Sequence, residues 1–207
     1  KNEKITFIDT PGHEAFTKLR ERGAQIADLA ILVIAADESI KPQTKESIEY
    51  LRAFNTPFIV AINKIDKPGA NPEKVKRDLS ELGLIVEEWG GNIPAVNISA
   101  LKGEGIDELL EFILIMAETL NLSYDETREG EGYILETSKD KRRGILVGAI
   151  VVDGQVRVGD FIVTASSYGK IKFLEDSFGK KLTIALPSQP ILIFGFESLP
   201  NVGEIFR

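Results

Sequence analysis

Residues 58–66 read Phe-Ile-Val-Ala-Ile-Asn-Lys-Ile-Asp, five apolar residues in a row and then a polar loop. An unbroken apolar run of that length is the pattern of a strand buried on both faces, as in a parallel sheet covered by helices. Similar runs lie at residues 5–8, 30–35 and 95–98, and amphipathic stretches lie at 14–27, 44–54, 72–82 and 106–120. The stretch at 72–82 is well punctuated. Asn71 stands as N-cap, Pro72 opens the first turn, Val75, Leu79 and Leu82 share a face, and Gly83 ends it. Strand and helix alternating in this way predict an α/β domain with right-handed crossovers.

In open α/β sheets ligands bind beyond the carboxyl ends of the strands, so the residues after each run decide the chemistry. After residues 58–62 comes Asn63-Lys64-Ile65-Asp66. Guanine presents N1–H and N2–H₂ side by side, and one carboxylate, that of Asp66, can accept from both. Adenine offers neither donor there and would leave the carboxylate unpaired. The Lys64 stem can lie on a purine face, and Asn63 can tie neighbouring loops. The same residues also spell a plain polar loop ending in a turn at Pro68-Gly69.

After residues 5–8 comes Asp9-Thr10-Pro11-Gly12-His13. A carboxylate in that place can hold Mg²⁺ through water, which phosphate chemistry uses to offset charge on the terminal oxygens. Gly12 allows the backbone to approach a γ-phosphate closely, and His13 can orient an attacking water. A tight turn capped by Asp9, with an ordinary exposed imidazole after it, would read the same way. After residues 95–98 comes Ser99-Ala100-Leu101, where a small side chain lets a backbone N–H reach guanine O6. None of the three is specific alone. Together, in this order and with a helix pattern between each pair, they point to a guanine nucleotide.

From residue 123 the pattern changes. Asp125, Glu126, Arg128, Glu129 and Glu131, with two glycines, read as a linker over residues 123–131. Residues 132–207 then show only short strand-like runs, with Asp153-Gly154 as a hairpin signal, and predict a small closed β-barrel. Arg157-Val-Gly-Asp-Phe161 and Asn201-Val-Gly-Glu-Ile205 mark two similar turns.

Composition narrows the choices. The chain has 207 residues, a net charge of −7 and no cysteine, so no disulfide or thiolate metal site can exist. Residues 1–129 carry 15 basic against 23 acidic side chains, and residues 130–207 carry 10 against 9, so nucleic-acid contact would be local. The basic run Lys139-Asp-Lys-Arg-Arg143 is one place for it, or simply a solvated turn. No apolar run approaches the roughly 18 residues of a membrane span. Trp89 reads as a packing anchor, and Glu87 and Glu88 as solvent-facing charge.

Longer stretches carry a family resemblance. Phe7-Ile-Asp-Thr-Pro-Gly-His-Glu-Ala-Phe16, Arg22-Gly-Ala-Gln25, Ala35-Ala-Asp-Glu38, Pro42-Gln-Thr44, Asn63-Lys-Ile-Asp-Lys-Pro68 and Glu88-Trp-Gly-Gly91 resemble bacterial translation initiation factor two. Val158-Gly-Asp160, Pro187-Ser-Gln-Pro190 and Pro200-Asn-Val-Gly203 continue the likeness into the second half. The resemblance implies a P-loop-type GTPase sheet lacking its N-terminal strands over residues 1–122, then the family's all-β barrel over 132–207. It implies GTP or GDP and Mg²⁺ as ligands, with Asp9 near the metal through water. Thr10, Pro11, Gly12 and His13 would face the terminal phosphate, His13 positioning the water. Asn63, Lys64, Asp66, Ser99, Ala100 and Leu101 would surround the base.

The implied activity is GTP hydrolysis on the ribosome during initiation, in the cytoplasm. The partners would be both ribosomal subunits and, through domains outside this chain, the initiator tRNA. No membrane is implied. No G-x-x-x-x-G-K-[S/T] loop occurs in the chain. The expectation is therefore a fragment of a longer GTPase, inactive alone. A non-catalytic ribosome-docking module and another translational GTPase, such as an elongation factor, are the alternatives.

Overall fold

The computed structural model describes residues 4–10, 17–125 and 127–207. They form two compact units, one within Ile8–Leu122 and one of Ser123–Arg207 together with residues 4–7.

The first unit is built on β1 (Ala30–Ala35), β2 (Phe58–Asn63) and β3 (Ala95–Asn97), parallel and in that order. β1 and β2 pair in register from Ala30↔Phe58 to Ala35↔Asn63, so both strands end level. Helix α1 (Thr17–Ile26) precedes β1, α2 (Pro42–Ala53) and α3 (Pro72–Glu81) connect successive strands, and α4 (Ile106–Thr119) follows β3. The unbroken apolar run of β2 is explained by burial on two sides. Val60 and Ile62, with Leu32 and Ile34 of β1, pack on Ile48 and Leu51 of α2 and Val75 and Leu79 of α3. Ile59 and Ala61, with Val96 and Ile98, pack on Leu109 and Ile113 of α4.

α3 begins and ends as its sequence predicts. Asn71 Oδ1 accepts from Lys74 N at 3.0 Å, Pro72 occupies the first turn, and Gly83 takes a positive φ of 75° after the last turn. Its stripe holds one surprise: Lys76 is buried and donates to Glu73 at 2.8 Å and to Glu88 of the 3-10 turn at Glu87–Trp89. Glu88 is therefore not idle surface charge. Trp89 is 42% exposed, so it anchors less than expected. α1 is fastened to α2 by Arg20, whose guanidinium donates to Glu46 Oε2 at 2.6 Å.

Residues 5–8 were expected to be a strand of this sheet, and they are not in one. A strand persists only where a neighbour takes up its peptide groups, and β1 pairs with β2 alone among the described residues. Thr6 instead donates its hydroxyl to Ser188 O at 2.5 Å, within the second unit, and Phe7 is 62% exposed.

The second unit contains β4 (Glu131–Asp140), β5 (Gly144–Asp153), β6 (Val156–Arg157), β7 (Phe161–Val163), β8 (Tyr168–Asp176), β9 (Lys181–Leu182), β10 (Ile184–Ala185), β11 (Pro190–Phe196) and β12 (Ile205–Phe206). The main sheet runs β12-β4-β5-β11-β8-β7, with β9 also on β8, while β6 pairs with β10. Its two ends meet: Val163 N donates to Arg207 O at 2.8 Å and Arg207 N to Val163 O at 3.0 Å. Ile134, Val147, Val151, Ile171, Ile193 and Phe206 fill the interior. This is the barrel that the short-strand pattern predicts.

Asp153-Gly154 makes no hairpin, because β5 and β6 do not pair. Tight connections join β4 to β5, where Asp140 Oδ1 accepts from Arg142 N and Arg143 N, both at 2.7 Å, and β7 to β8, where Thr164 N donates to Ser167 O at 2.7 Å. Gly154 does take a positive φ, 67°, but a Cβ there would lie 2.2 Å from Glu129 O. The turn presses residue 154 against the incoming chain, and Asp153 binds Arg128. The two echoing turns do match. Asp160 N donates to Arg157 O and Glu204 N to Asn201 O, each at 3.2 Å, with Gly159 and Gly203 at positive φ.

Candidate nucleotide-recognition site

The level ends of β1, β2 and β3 bring three loops together. Ala36 N donates to Asn63 O at 2.7 Å, continuing the ladder past β1, and Ile98 N donates to Ile62 O at 2.8 Å past β3. The chain must turn sharply after β2, and Lys64 does so at a φ of 67°, a left-handed conformation unusual for a lysine. Asn63 steadies that turn. Its Oδ1 accepts from Lys64 N at 2.7 Å and from Ala100 N at 3.0 Å, tying the loop after β2 to the loop after β3.

Ser99 closes the corner. It is fully buried, donates its hydroxyl to Asp66 Oδ1 at 2.6 Å, and accepts from Lys102 N at 3.2 Å. The loop can be this tight because Gly105 stands at φ 71°, where a Cβ would lie 2.3 Å from Asn97 O. The Ser99 hydroxyl, more than any other group, holds the Asp66 carboxyl below its usual range; partial burial opposes it, and Lys102 and Lys67 assist. Asp66 is thus an ionised acceptor, half-buried, with one oxygen fixed by Ser99 and no side-chain partner described for the other. Such a carboxylate can accept two parallel donors from a flat ring edge. Ala100 and Leu101 are exposed beside it, Leu101 at 88%.

Sequence reasoning missed Asp37. It lies in the loop after β1, is only 17% exposed, and forms an ion pair with Lys67 at 2.9 Å, with Lys64 at 3.9 Å. Ala35-Ala-Asp-Glu38 entered only through the family likeness, and the signal that could have found Asp37 is the equal length of β1 and β2.

The structure brings Asn63, Lys64, Asp66, Ser99 and Ala100 into one corner. Asp9 is exposed in irregular chain rather than at a strand end, and Thr10 lies close to Gly23, whose added Cβ would meet Thr10 Cγ2 at 2.9 Å. Pro11, Gly12 and His13 lie outside the described residues.

The barrel carries a groove of about 750 Å³ whose lining includes Arg128, Arg157, Phe161 and Arg207. Its arginines are engaged with Asp153, Gln155 and Glu131 respectively, and it shares no residue with the corner. In the basic run, Arg143 stacks over Phe194 at 4.6 Å and donates to buried Glu175 at 2.5 Å. Only Lys139, Lys141 and Arg142 of that run remain as outward cations.

Residues 1–119, more than half of the chain, match the family model for the elongation factor Tu GTP binding domain. The chain belongs to that family. Beyond this GTP-binding domain, residues 129–207 match elongation factor G domain 2. Among curated relatives, translation initiation factor IF-2 of Aquifex aeolicus is 50% identical over 201 residues, covering 97% of this chain and 25% of that protein. Its counterpart in Deinococcus radiodurans is also 50% identical, over 97% of this chain and 34% of that protein. The chain therefore spans about a quarter to a third of these relatives. Of solved structures, GDP-bound aIF5B from Aeropyrum pernix superposes with a TM-score of 0.79 at 28% identity, over 97% of this chain and 42% of that one. SelB from Methanococcus maripaludis, in complex with the GTP analogue GPPNHP, gives 0.76 at 26% identity, over 96% and 45%.

Proposed function

We propose that this chain supplies the base-recognition corner and the barrel of a GTP-hydrolysing translation initiation factor. The observation that carries the reading is the Ser99–Asp66 hydrogen bond beside the Asn63 tie to Ala100. Together they set one ionised acceptor beside the exposed start of the loop after β3. Guanine's N1–H and N2–H₂ match that acceptor, and the Lys64 stem offers an apolar ledge for the ring. The relatives named IF-2 support initiation over elongation.

The domain division follows the same reading: a partial GTP-binding domain over 1–122, a linker over 123–131 and the barrel over 132–207. Thr10, Pro11, Gly12 and His13 would face the γ-phosphate, with His13 orienting water, and Leu101 would border the base. Magnesium bound to nucleotide commonly keeps several waters and needs only one or two protein carboxylates; the exposed Asp9 fits that modest donor set. When bound, the metal would offset charge on the phosphate oxygens. The ribosome is the partner the family reading brings, both subunits included, with initiator tRNA held by domains beyond this chain and cytoplasm as the compartment.

The test is a change of base preference in the full polypeptide that carries this chain. Asp66→Asn puts an amide donor where xanthine has a carbonyl, so affinity should shift from GDP toward xanthosine diphosphate by at least tenfold in relative terms. Unchanged preference for GDP would remove Asp66 from the base.

A further inference from the structure

We infer that Asp37 is a positioning residue for the base corner, holding the Lys64 side chain in place so that its stem forms one wall of the ring slot. The inference rests on the guanine reading above.

Asp37 owes its place to the pairing of β1 with β2. Ala35 lies opposite Asn63, and the Ala36–Asn63 hydrogen bond carries the loop after β1 alongside Lys64. Residues 38 and 39 then turn back, both amides donating to Ala35 O. Asp37 is thereby tucked in at 17% exposure, while Lys64 and Lys67 stand at 39% and 49%. Its two oxygens are used unequally. Oδ2 accepts from Lys67 Nζ at 2.9 Å. Oδ1 is buried and has no hydrogen-bond partner among the described residues, yet lies 3.9 Å from Lys64 Nζ. A buried carboxylate oxygen without a donor is unfavourable, and the Lys64 ammonium, 3.9 Å away, is placed to relieve it.

Lys64 is constrained from both ends. Its backbone is fixed in the left-handed turn by Asn63, and its ammonium lies between Asp37 Oδ1 and Glu38 Oε1, each 3.9 Å away. A lysine without those acceptors would sample many rotamers and would lose that freedom when a ring stacked on its stem. Asp37 removes much of that loss beforehand. The expected consequence is tighter nucleotide binding through a slower departure.

The test is a double-mutant cycle on the full polypeptide, reading affinity for a fluorescent GDP analogue. Asp37→Asn keeps the shape and removes the charge; Lys64→Met keeps an apolar stem and removes the ammonium. With Lys64 present, Asp37→Asn should weaken binding roughly tenfold; with Met there, the same change should cost less than about twofold. A structural role alone would give equal losses in both backgrounds, and equal losses overturn the inference, as does no loss at all. Far-UV circular dichroism during urea unfolding reports whether each variant folds. Should Asp37→Asn not fold, Asp37→Glu enters the same cycle, with a smaller loss expected that again vanishes when Lys64 is Met. GDP binding by the unaltered protein with no coupling sinks this inference only. No guanine-nucleotide binding by the unaltered protein sinks the base-corner reading and this inference together.

Discussion

Replacing Asn63 by Ala should loosen the corner by a calculable amount. The side chain makes two hydrogen bonds, from Lys64 N at 2.7 Å and from Ala100 N at 3.0 Å. A neutral hydrogen bond contributes about 1 kcal/mol net. Ala100 is exposed, so its freed amide can turn to water and the larger penalty of a buried orphan does not apply. Lys64 is half-buried and loses the group that stabilises its left-handed turn. The two together give about 2 kcal/mol, or roughly thirtyfold in the folding constant. Trp89 is the only tryptophan and belongs to the unit at Ile8–Leu122, so its fluorescence follows that unit alone. With a urea slope of about 1–2 kcal/mol per molar, the midpoint should fall by about 1–2 M. Hydrogen exchange at the Ala100 amide should rise in parallel. An unchanged midpoint with that amide still protected would refute the claim that Asn63 holds the two loops together.

Leu79→Ala removes a fully buried side chain between α3 and the sheet and should cost about 3 kcal/mol, again read by Trp89; a loss below 1 kcal/mol would mean the site collapses without a cavity. Burial pushes the Glu204 carboxyl up, but hydrogen bonds from Asn201, Thr164 and Ser166 outweigh it and hold the group at about 2. The folded value lies below the unfolded value of about 4.3, so this stabilisation is complete above that pH and fades as pH falls toward the folded value. Glu204→Gln should therefore flatten the acid limb of barrel stability by calorimetry, and equal slopes in the two proteins would reject it. Arg143→Ala should lower the barrel's thermal midpoint by a few degrees, because it strips the Phe194 ring and leaves buried Glu175 without its partner. Arg142→Ala, with its side chain outward, should leave the midpoint in place, and equal shifts would show that the pairing contributes nothing.

The sequence was readable where one pattern had one physical meaning. The apolar runs of β1 and β2 and the stripe and caps of α3 answer to burial and to peptide-group satisfaction, and both are local. The meeting of the two loops was legible because Asn63, Lys64 and Asp66 follow one strand directly and Ser99 follows another. Residues 5–8 misled because apolar character records a wish to be covered, not the neighbour that does the covering. Asp153-Gly154 misled because tolerance of positive φ allows a turn without naming the strand that comes back. Lys76 and Asp37 were invisible for a related reason. Lys76 has one local partner, Glu73 three residues back, but its burial also depends on Glu88 from another segment, and Asp37 depends on the loop after β2; local spacing does not encode those distant partners.

Where Val163 and Arg207 trade amide for carbonyl, the outermost strands of the barrel become neighbours. A stray extended polypeptide seeking idle peptide groups finds few to bind along such a ring, which protects against strand-on-strand aggregation. Much of that protection hangs on a single pair of residues far apart along the chain.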